Sequence, residues 1–327
     1  MKKLLICLPG MLSMLAACTE AVEIPARAPE KQSPVRVELH LTTEQQAATR
    51  AMDENCIRDV NLYLYGDTEY HFYFPSVSSP LVFNVLPGNY RSYAIANAGQ
   101  DLGDKNAFKI QFYETAVDVM ESSDAIPMTD RGTLAVDGAG RCTPSSLRVT
   151  RSAAKIAYTI EVADAVAPSL RLRSVQFCNL PLTIRPFDSG SISSTVEANY
   201  YDGEAMPVGN ERRTAGTAYL FENLQGSVDT ITDQKDKCPE NAPACATYLR
   251  ILAERSADKA LVEYIVYPGE NNTSDFNVRR NTWHNLELVI RGENEIDNRV
   301  LVYDGLYYGT ANCHICTGDR LRSMLPR

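Results

Sequence analysis

The stretch "VRVELHLTTEQQAATRAMDENCIRDVNLYLYG", Val35–Gly66, decides how the rest of the chain is read. At its start Val35, Val37, Leu39 and Leu41 alternate with Arg36, Glu38 and His40. Near its end Val60, Leu62 and Leu64 alternate with Asn61, Tyr63 and Tyr65. A period of two puts successive side chains on opposite faces of a strand, so each run predicts one buried and one wet face. Leu39, Leu62 and Leu64 are expected inside, Glu38 and Asn61 outside. Between the runs lies a polar, alanine-rich connection with one basic residue, Arg50. A plain exposed loop accounts for it. A sharper reading depends on where the protein lives and what it resembles.

Downstream the same pattern repeats. "EYHFYF" follows Gly66-Asp67 as the second arm of a hairpin. "LVFNVLPGNYRSYAIAN" carries a strand, the turn Pro87-Gly88-Asn89 and another strand. Proline pre-sets the backbone for such a turn, and glycine accepts positive φ. Residues 107–121 read either as a strand with a turn or as a short helix, and "GTLAVDGAGRC" holds further turn signals. After "TPSS" a second series begins with "KIAYTIEV", where Ile156, Tyr158, Ile160 and Val162 alternate. "SLRLRSVQFCNL", "TAYLFEN", "ATYLRIL", "LVEYIVYPG" and "WHNLELVIRG" complete it. Ile156, Ile160, Leu286 and Leu288 are expected inside, Thr159 and Glu287 outside. Short strands spaced by turns predict an all-β chain of two consecutive antiparallel β-sandwich domains, 35–147 and 148–305.

Upstream, Lys2 and Lys3 precede an apolar run, Leu4 to Leu15, that is too short and interrupted to span a bilayer as a mature helix. It ends in Leu15-Ala16-Ala17-Cys18, the layout of a bacterial lipoprotein box. Residues 1–17 are expected to be a signal peptide and Cys18 the lipidation site. Acyl chains on Cys18 would hold the protein on a membrane without a transmembrane helix. Residues 18–34, rich in proline and mixed charge, read as a flexible linker.

The 327 residues suit about two domains, and 44% hydrophobic with 22% charged content is ordinary for a globular fold. A formal charge of −9 argues against a nucleic-acid partner, which needs a basic face. Without Cys7 and Cys18, seven cysteines remain. Cys238 and Cys245 bracket "CPENAPAC", where a local disulfide and two unpaired thiols are equally compatible. "CHIC", Cys313–Cys316, has CxxC spacing but no second pair beside it, so it does not indicate a metal site.

Signatures of chemistry are missing: there is no HExxH, no GxSxG and no phosphate-binding glycine loop. His40, His71 and His284 fall on or beside predicted strands and read as exposed face residues. No cofactor, metal or catalytic residue is indicated, and the sequence does not look like that of an enzyme.

The order of segments resembles the fimbrillin superfamily of Bacteroidetes, the subunits and anchors of type V pili. "VRVELHL…ATRAMDENCIRDVNLYLYG" resembles that family's first strand, processing linker and second strand. "VLPGNYRSYAIANAG" is similar to its hairpin leading to a strand that ends in Ala-Asn, and "SLRVTRSAAKIAYTIEV" to the junction of its two domains. "AYLFENLQG" and "VEYIVYPGENNTSDFNVRRNTWHNLELVIRG" resemble its late strands. The resemblance covers roughly residues 35–303.

It implies two β-sandwiches of transthyretin-like topology on an exported lipoprotein of the outer membrane. It also implies an arginine-specific cut between Arg50 and Ala51 that frees the first strand. A strand from another fimbrial subunit would then fill the groove by β-augmentation. Residues 306–327 depart from the fibre-subunit pattern: "TGDRLRSMLPR" lacks alternation, and "YYGTANC" is similar to the opening of a further domain in longer relatives. This tail reads as the truncated start of such a domain. The favoured function is a structural or adhesive fimbrial component with host or bacterial surface ligands. The alternative is a surface lipoprotein that binds glycans, with Tyr200-Tyr201 and Tyr307-Tyr308 as loop aromatics.

Overall fold

A computed structural model describes residues 32–43, 56–103, 113–114, 126–187, 190, 193–209, 211–293 and 295–304. Cys18, Arg50, Ala51, Tyr307, Tyr308, the Cys313–Cys316 motif, the signal, most of the linker and the tail lie outside them. Among the described residues, no helix is long and apolar enough to cross a membrane.

The alternating runs become strands, and the chain is all-β. The first series gives β1 (Val35–Thr43), β2 (Val60–Tyr65), β3 (Glu69–Phe74), β4 (Leu81–Val85) and β5 (Gly88–Ala96). It continues through β6 (Tyr113–Glu114), β7 (Met128–Val136), β8 (Cys142–Thr143) and β9 (Ser146–Arg151). One sheet runs in the order β3-β2-β5-β7-β9-β1-β4, with β8 beside β7. Twist brings its two ends back together: Phe72 of β3 and Phe83 of β4 have ring centroids 4.9 Å apart. The sheet thereby wraps one core holding Val37, Leu39, Leu62, Leu64, Leu134 and Val149.

The second series begins with β10 (Ala153–Val162), β11 (Leu170–Cys178), β12 (Leu180–Pro181), β13 (Thr183–Ile184), β14 (Tyr200–Tyr201) and β15 (Met206–Pro207). It ends with β16 (Arg213–Phe221), β17 (Tyr248–Arg255), β18 (Leu261–Val266), β19 (Thr282–Gly292) and β20 (Glu295–Asp304). Two sheets, β16-β10-β19-β20 and β15-β11-β17-β18, form a β-sandwich over a second core. Ile156, Ile160, Leu286 and Leu288 come from one sheet and Phe177, Leu249 and Ile251 from the other. In each core the first strand runs parallel to a late one, β1 with β9 and β10 with β19.

Several expectations change. Leu147 and Val149 pack in the first core and Ala154 in the second. A separate cluster of Ile126, Ala153, Ile184, Tyr219 and Phe221 draws on both series. The Pro87-Gly88-Asn89 turn does not close a hairpin: β4 pairs with β1, while β5 pairs with β2 and β7. The turn carries the chain from one flank of the sheet to another. Tyr113–Glu114 is extended and pairs with Thr183–Ile184, which favours the strand reading there.

Asn61 is fully buried, not wet. Its amide donates to Gln100 O at 3.0 Å and its oxygen accepts from Leu102 N at 3.0 Å, because residues 100–103 lie over the outer face of β2. Tyr63 beside it donates to Gly103 O. Thr159 is half-buried on the central strand β10, whereas Glu38 and Glu287 are exposed as expected. His284, expected on an exposed face, is fully buried, and His71 stacks on Tyr63 at 4.4 Å.

Candidate functional site: the seat of the first strand

Strand β1 is the element the sequence singled out, and its seat divides into two halves. Val35–Leu39 pairs antiparallel with β4, from Val35 opposite Val85 to Leu39 opposite Leu81. His40–Thr43 pairs parallel with β9, from His40 opposite Ser146 to Thr43 opposite Val149. The partner changes between Leu39 and His40.

Strand geometry explains the division. Alternate residues of a strand aim their N–H and C=O at opposite flanks. On the flank of odd-numbered residues, the β4 ladder ends at Leu39, and Leu41 N donates to the Ser79 hydroxyl at 3.4 Å. On the flank of even-numbered residues, His40 N donates to Ser145 O at 3.0 Å where the β9 register begins. Further back on that flank, Glu38 O accepts from the Cys142 thiol at 3.3 Å.

The apolar side chains are as clearly placed. Val37, Leu39 and Leu41 are all essentially fully buried, while Arg36, Glu38 and His40 face water. Each buried aliphatic side chain contributes about 1.5–3 kcal/mol. Removing β1 would leave a three-residue-deep apolar gap and two stretches of unpaired backbone, along Leu81–Val85 and along Ser146–Val149. Such a slot accepts another strand of the same alternation and direction.

The segment that follows β1 is fastened without it. Cys56–Asp59, where the described chain resumes, is tied by Asn97 and Asp59 to the end of β5. Asp59 accepts from Ala98 N and Gly99 N at 3.0 Å, although burial raises its carboxyl above the usual range.

The remaining sequence candidates are not gathered there. Cys238 and Cys245 are free thiols, the second buried, so the 238–245 loop is not bridged in this structure. Cys142 and Cys178 are also free, and Cys56 is disulfide-bonded. Tyr200 and Tyr201 do not offer an exposed platform: both are half-buried in a short strand, with Tyr200 Oη donating to Ser194 O at 2.5 Å. Burial pushes the Tyr200 phenol up to about 12. Among the described residues, no three His, Cys, Asp or Glu side chains are grouped as a metal site.

Sequence reasoning missed a buried polar cluster in the second series. His284 Nδ1 lies 3.2 Å from Gly269 O and Nε2 lies 3.0 Å from the Thr282 hydroxyl. Burial lowers its pKa to about 4. Nearby, Lys237 donates to Asn271 O at 2.7 Å with its ammonium over the Phe276 ring, and burial lowers its pKa to about 8. These groups hold the 268–277 loop in place. A histidine with alternating apolar neighbours, Thr282 to Leu288, was the available signal.

Residues 218–288 match a protein family described as a domain of unknown function, DUF4906. No curated protein matches the chain. Among solved structures, a fimbrilin, FimA, from Porphyromonas gingivalis aligns with a TM-score of 0.56 at 13% identity, over 82% of this chain and 96% of that one. The tip fimbrial protein Mfa3 of the same species, with a C-terminal truncation, aligns at 0.52 and 13% identity over 83% and 100%. A candidate cell-adhesion protein from Bacteroides eggerthii aligns at 0.57 and 12% identity over 85% and 98%. The chain has the fimbrillin fold. At these identities the likeness speaks for the fold, and the part of the fimbrillin fold that carries an argument about function here is β1 in its slot.

Proposed function

We propose that this chain is a structural or adhesive component of cell-surface fimbriae: a tip, accessory or anchor subunit, exported as a lipoprotein and assembled by strand complementation. The observation that supports it most is the seat of β1. One terminal strand fills a slot with three apolar side chains and two separate ladders, while the next segment of chain is fastened without it. In this reading the two cores are two sandwich domains of transthyretin-like topology. Cys18 carries the lipid that holds the protein on the outer membrane, exposed at the cell surface. A cut between Arg50 and Ala51 frees β1 from the body, and a strand of another fimbrial subunit takes its place. The fold shared with FimA and Mfa3 is consistent with this role. The glycan-binding alternative is not favoured, because Tyr200 and Tyr201 are half-buried and the Tyr200 hydroxyl is taken up by Ser194 O.

The test combines two measurements. Digestion of the purified protein with an arginine-specific protease should yield a folded fragment whose new N-terminus is Ala51. Purified fimbriae should contain the protein. Resistance at Arg50 while other arginines are cut would argue for an uncleaved anchor, and absence from fimbriae would defeat the proposal.

A further inference from the structure

We propose that the turn Asp137–Cys142 is a latch over the N-terminal half of β1, and that exchange of this strand starts beneath it. The inference rests on the reading that β1 is exchanged, and it adds where and through which residues.

On the flank of Arg36 and Glu38, β1 is closed by a turn in place of a ladder. Gly140 sits there with φ +79°, and a Cβ on it would lie 2.1 Å from Arg36 O. Only glycine combines that backbone conformation with so close an approach. One step along, the Cys142 thiol donates to Glu38 O at 3.3 Å. A thiol is a weak donor, so this contact holds less firmly than an amide would.

The other half of β1 is held differently. His40 N donates to Ser145 O at 3.0 Å, the parallel register with β9 continues to Thr43, and the Thr42 hydroxyl donates to Leu147 O at 3.0 Å. The same flank of the same strand thus goes from backbone pairing to a thiol and a steric cover.

The latch keeps its shape by itself. Asp137 Oδ1 accepts from Ala139 N and Arg141 N, both at 2.9 Å, and Asp137 Oδ2 accepts from Arg141 Nε at 2.9 Å. Asp137 N donates to Arg141 O and Gly140 N to Asp137 O, each at 3.0 Å. None of these bonds involves β1. Asp137–Arg141 can therefore lift about the Val136–Cys142 pair of β7 and β8 without breaking its own bonds, and local openings of this kind draw on the least-paired part of a fold. Because it meets β1 through backbone atoms, it selects for an extended main chain and not for particular side chains.

Residue-resolved hydrogen exchange on the intact, uncleaved chain tests the latch. In the wild type, Val35–Leu39 should exchange faster than His40–Thr43. Gly140→Ala should raise exchange at Val35–Leu39 by about tenfold or more, with His40–Thr43 and Val149 little changed. Cys142→Ala removes the donor without a collision and should act in the same direction more weakly, so the test survives if Gly140→Ala does not fold. Unchanged exchange at Val35–Leu39 in both variants, or a uniform rise along all of β1, would overturn the latch. A second arm cuts the protein after Arg50 and adds excess labelled peptide with the Val35–Thr43 sequence. Peptide uptake should be faster in Gly140→Ala than in the wild type, and equal uptake would also count against the proposal. No uptake by any form, alongside the expected exchange pattern, would defeat strand exchange itself and leave the latch as the cover of a permanent strand.

Discussion

Asn97 donates its side-chain amide to the carbonyl oxygen of Cys56 at 2.9 Å, and this bond fixes where the chain rejoins the first core. The same amide donates to Ile126 O at 2.9 Å, and its oxygen accepts from Arg58 N at 2.8 Å. Asn97 adopts φ +60°, a conformation that asparagine tolerates better than most residues. Substituting Asn97→Ala strands three backbone groups and adds strain, so it should cost about 3–5 kcal/mol in chemical denaturation. Asn97→Gly relieves the strain but not the lost bonds, and should fall between the two. A cost within error of a surface substitution for Asn97→Ala would show that Cys56–Asp59 is held by other means.

Leu39 stands at the change of partner in β1 and is fully buried against the first core. Leu39→Ala should lower stability by about 2–5 kcal/mol. Glu38→Ala, one residue away on the wet face, should change it by no more than about 0.5 kcal/mol. Equal effects would mean that the alternation of β1 does not reflect its burial.

His284 gives the second core a dependence on pH. Its folded pKa, about 4, is below the ordinary histidine value because burial penalises the charged ring; Asp275 and the Gly269 carbonyl favour the charge, while Lys237 and Arg279 oppose it. Below about pH 6.5 the unfolded chain binds a proton that the folded chain does not. The stability linked to His284 is therefore complete above about 6.5 and is lost as pH falls towards 4. The loss should total about 3 kcal/mol. His284→Gln should flatten the curve over this window, and a difference between variant and wild type that does not vary with pH would contradict the assignment.

Arg280 and Glu222 form an ion pair of 2.9 Å with side chains 10% and 6% exposed. Arg280 also donates to Pro186 O at 2.9 Å and Arg185 O at 2.8 Å. Pro186 O in turn accepts from the Thr129 hydroxyl on β7, so one carbonyl ties both series together. Glu222→Ala removes the carboxylate that neutralises a buried cation and should cost about 3–5 kcal/mol. Hydrogen exchange should rise around 183–187 and β7 as well as near Arg280. A response confined to the second core would show that this bridge carries no coupling.

What could be read in advance followed the range of the interactions involved. The inside-outside pattern of β1, β10 and β19 depends on local alternation, and Leu39, Ile156 and Leu286 lie where alternation puts them. Asn61 and His284 obey the same period but are covered by residues far along the chain, 100–103 in one case and 268–277 in the other. Period-two patterning says which face a residue takes, not whether anything lies over that face. The same limit hid the path of the Pro87-Gly88 turn: its chemistry predicts a reversal of the chain, but not that β4 and β5 join different partners. The slot of β1 was legible as a strand beside an unusual connection. Its latch was not, because a glycine between Ala139 and Arg141 looks like any turn glycine until Arg36 O is seen beneath it.

The parallel pairing of β1 with β9 also bears on the order in which the first core forms. Thr42 bonds to Leu147, a partner 105 residues further along the chain. Contacts across such a separation close a long loop and form late, and an emerging chain meets its early partners first. The strand that appears first thus waits for β9 before it has its whole seat, and the hairpin of β2 with β3 and the pairing of β5 with β7 must find their registers in the meantime. A core that folds in this order has to hold together, for a time, with the place of its first strand only partly taken.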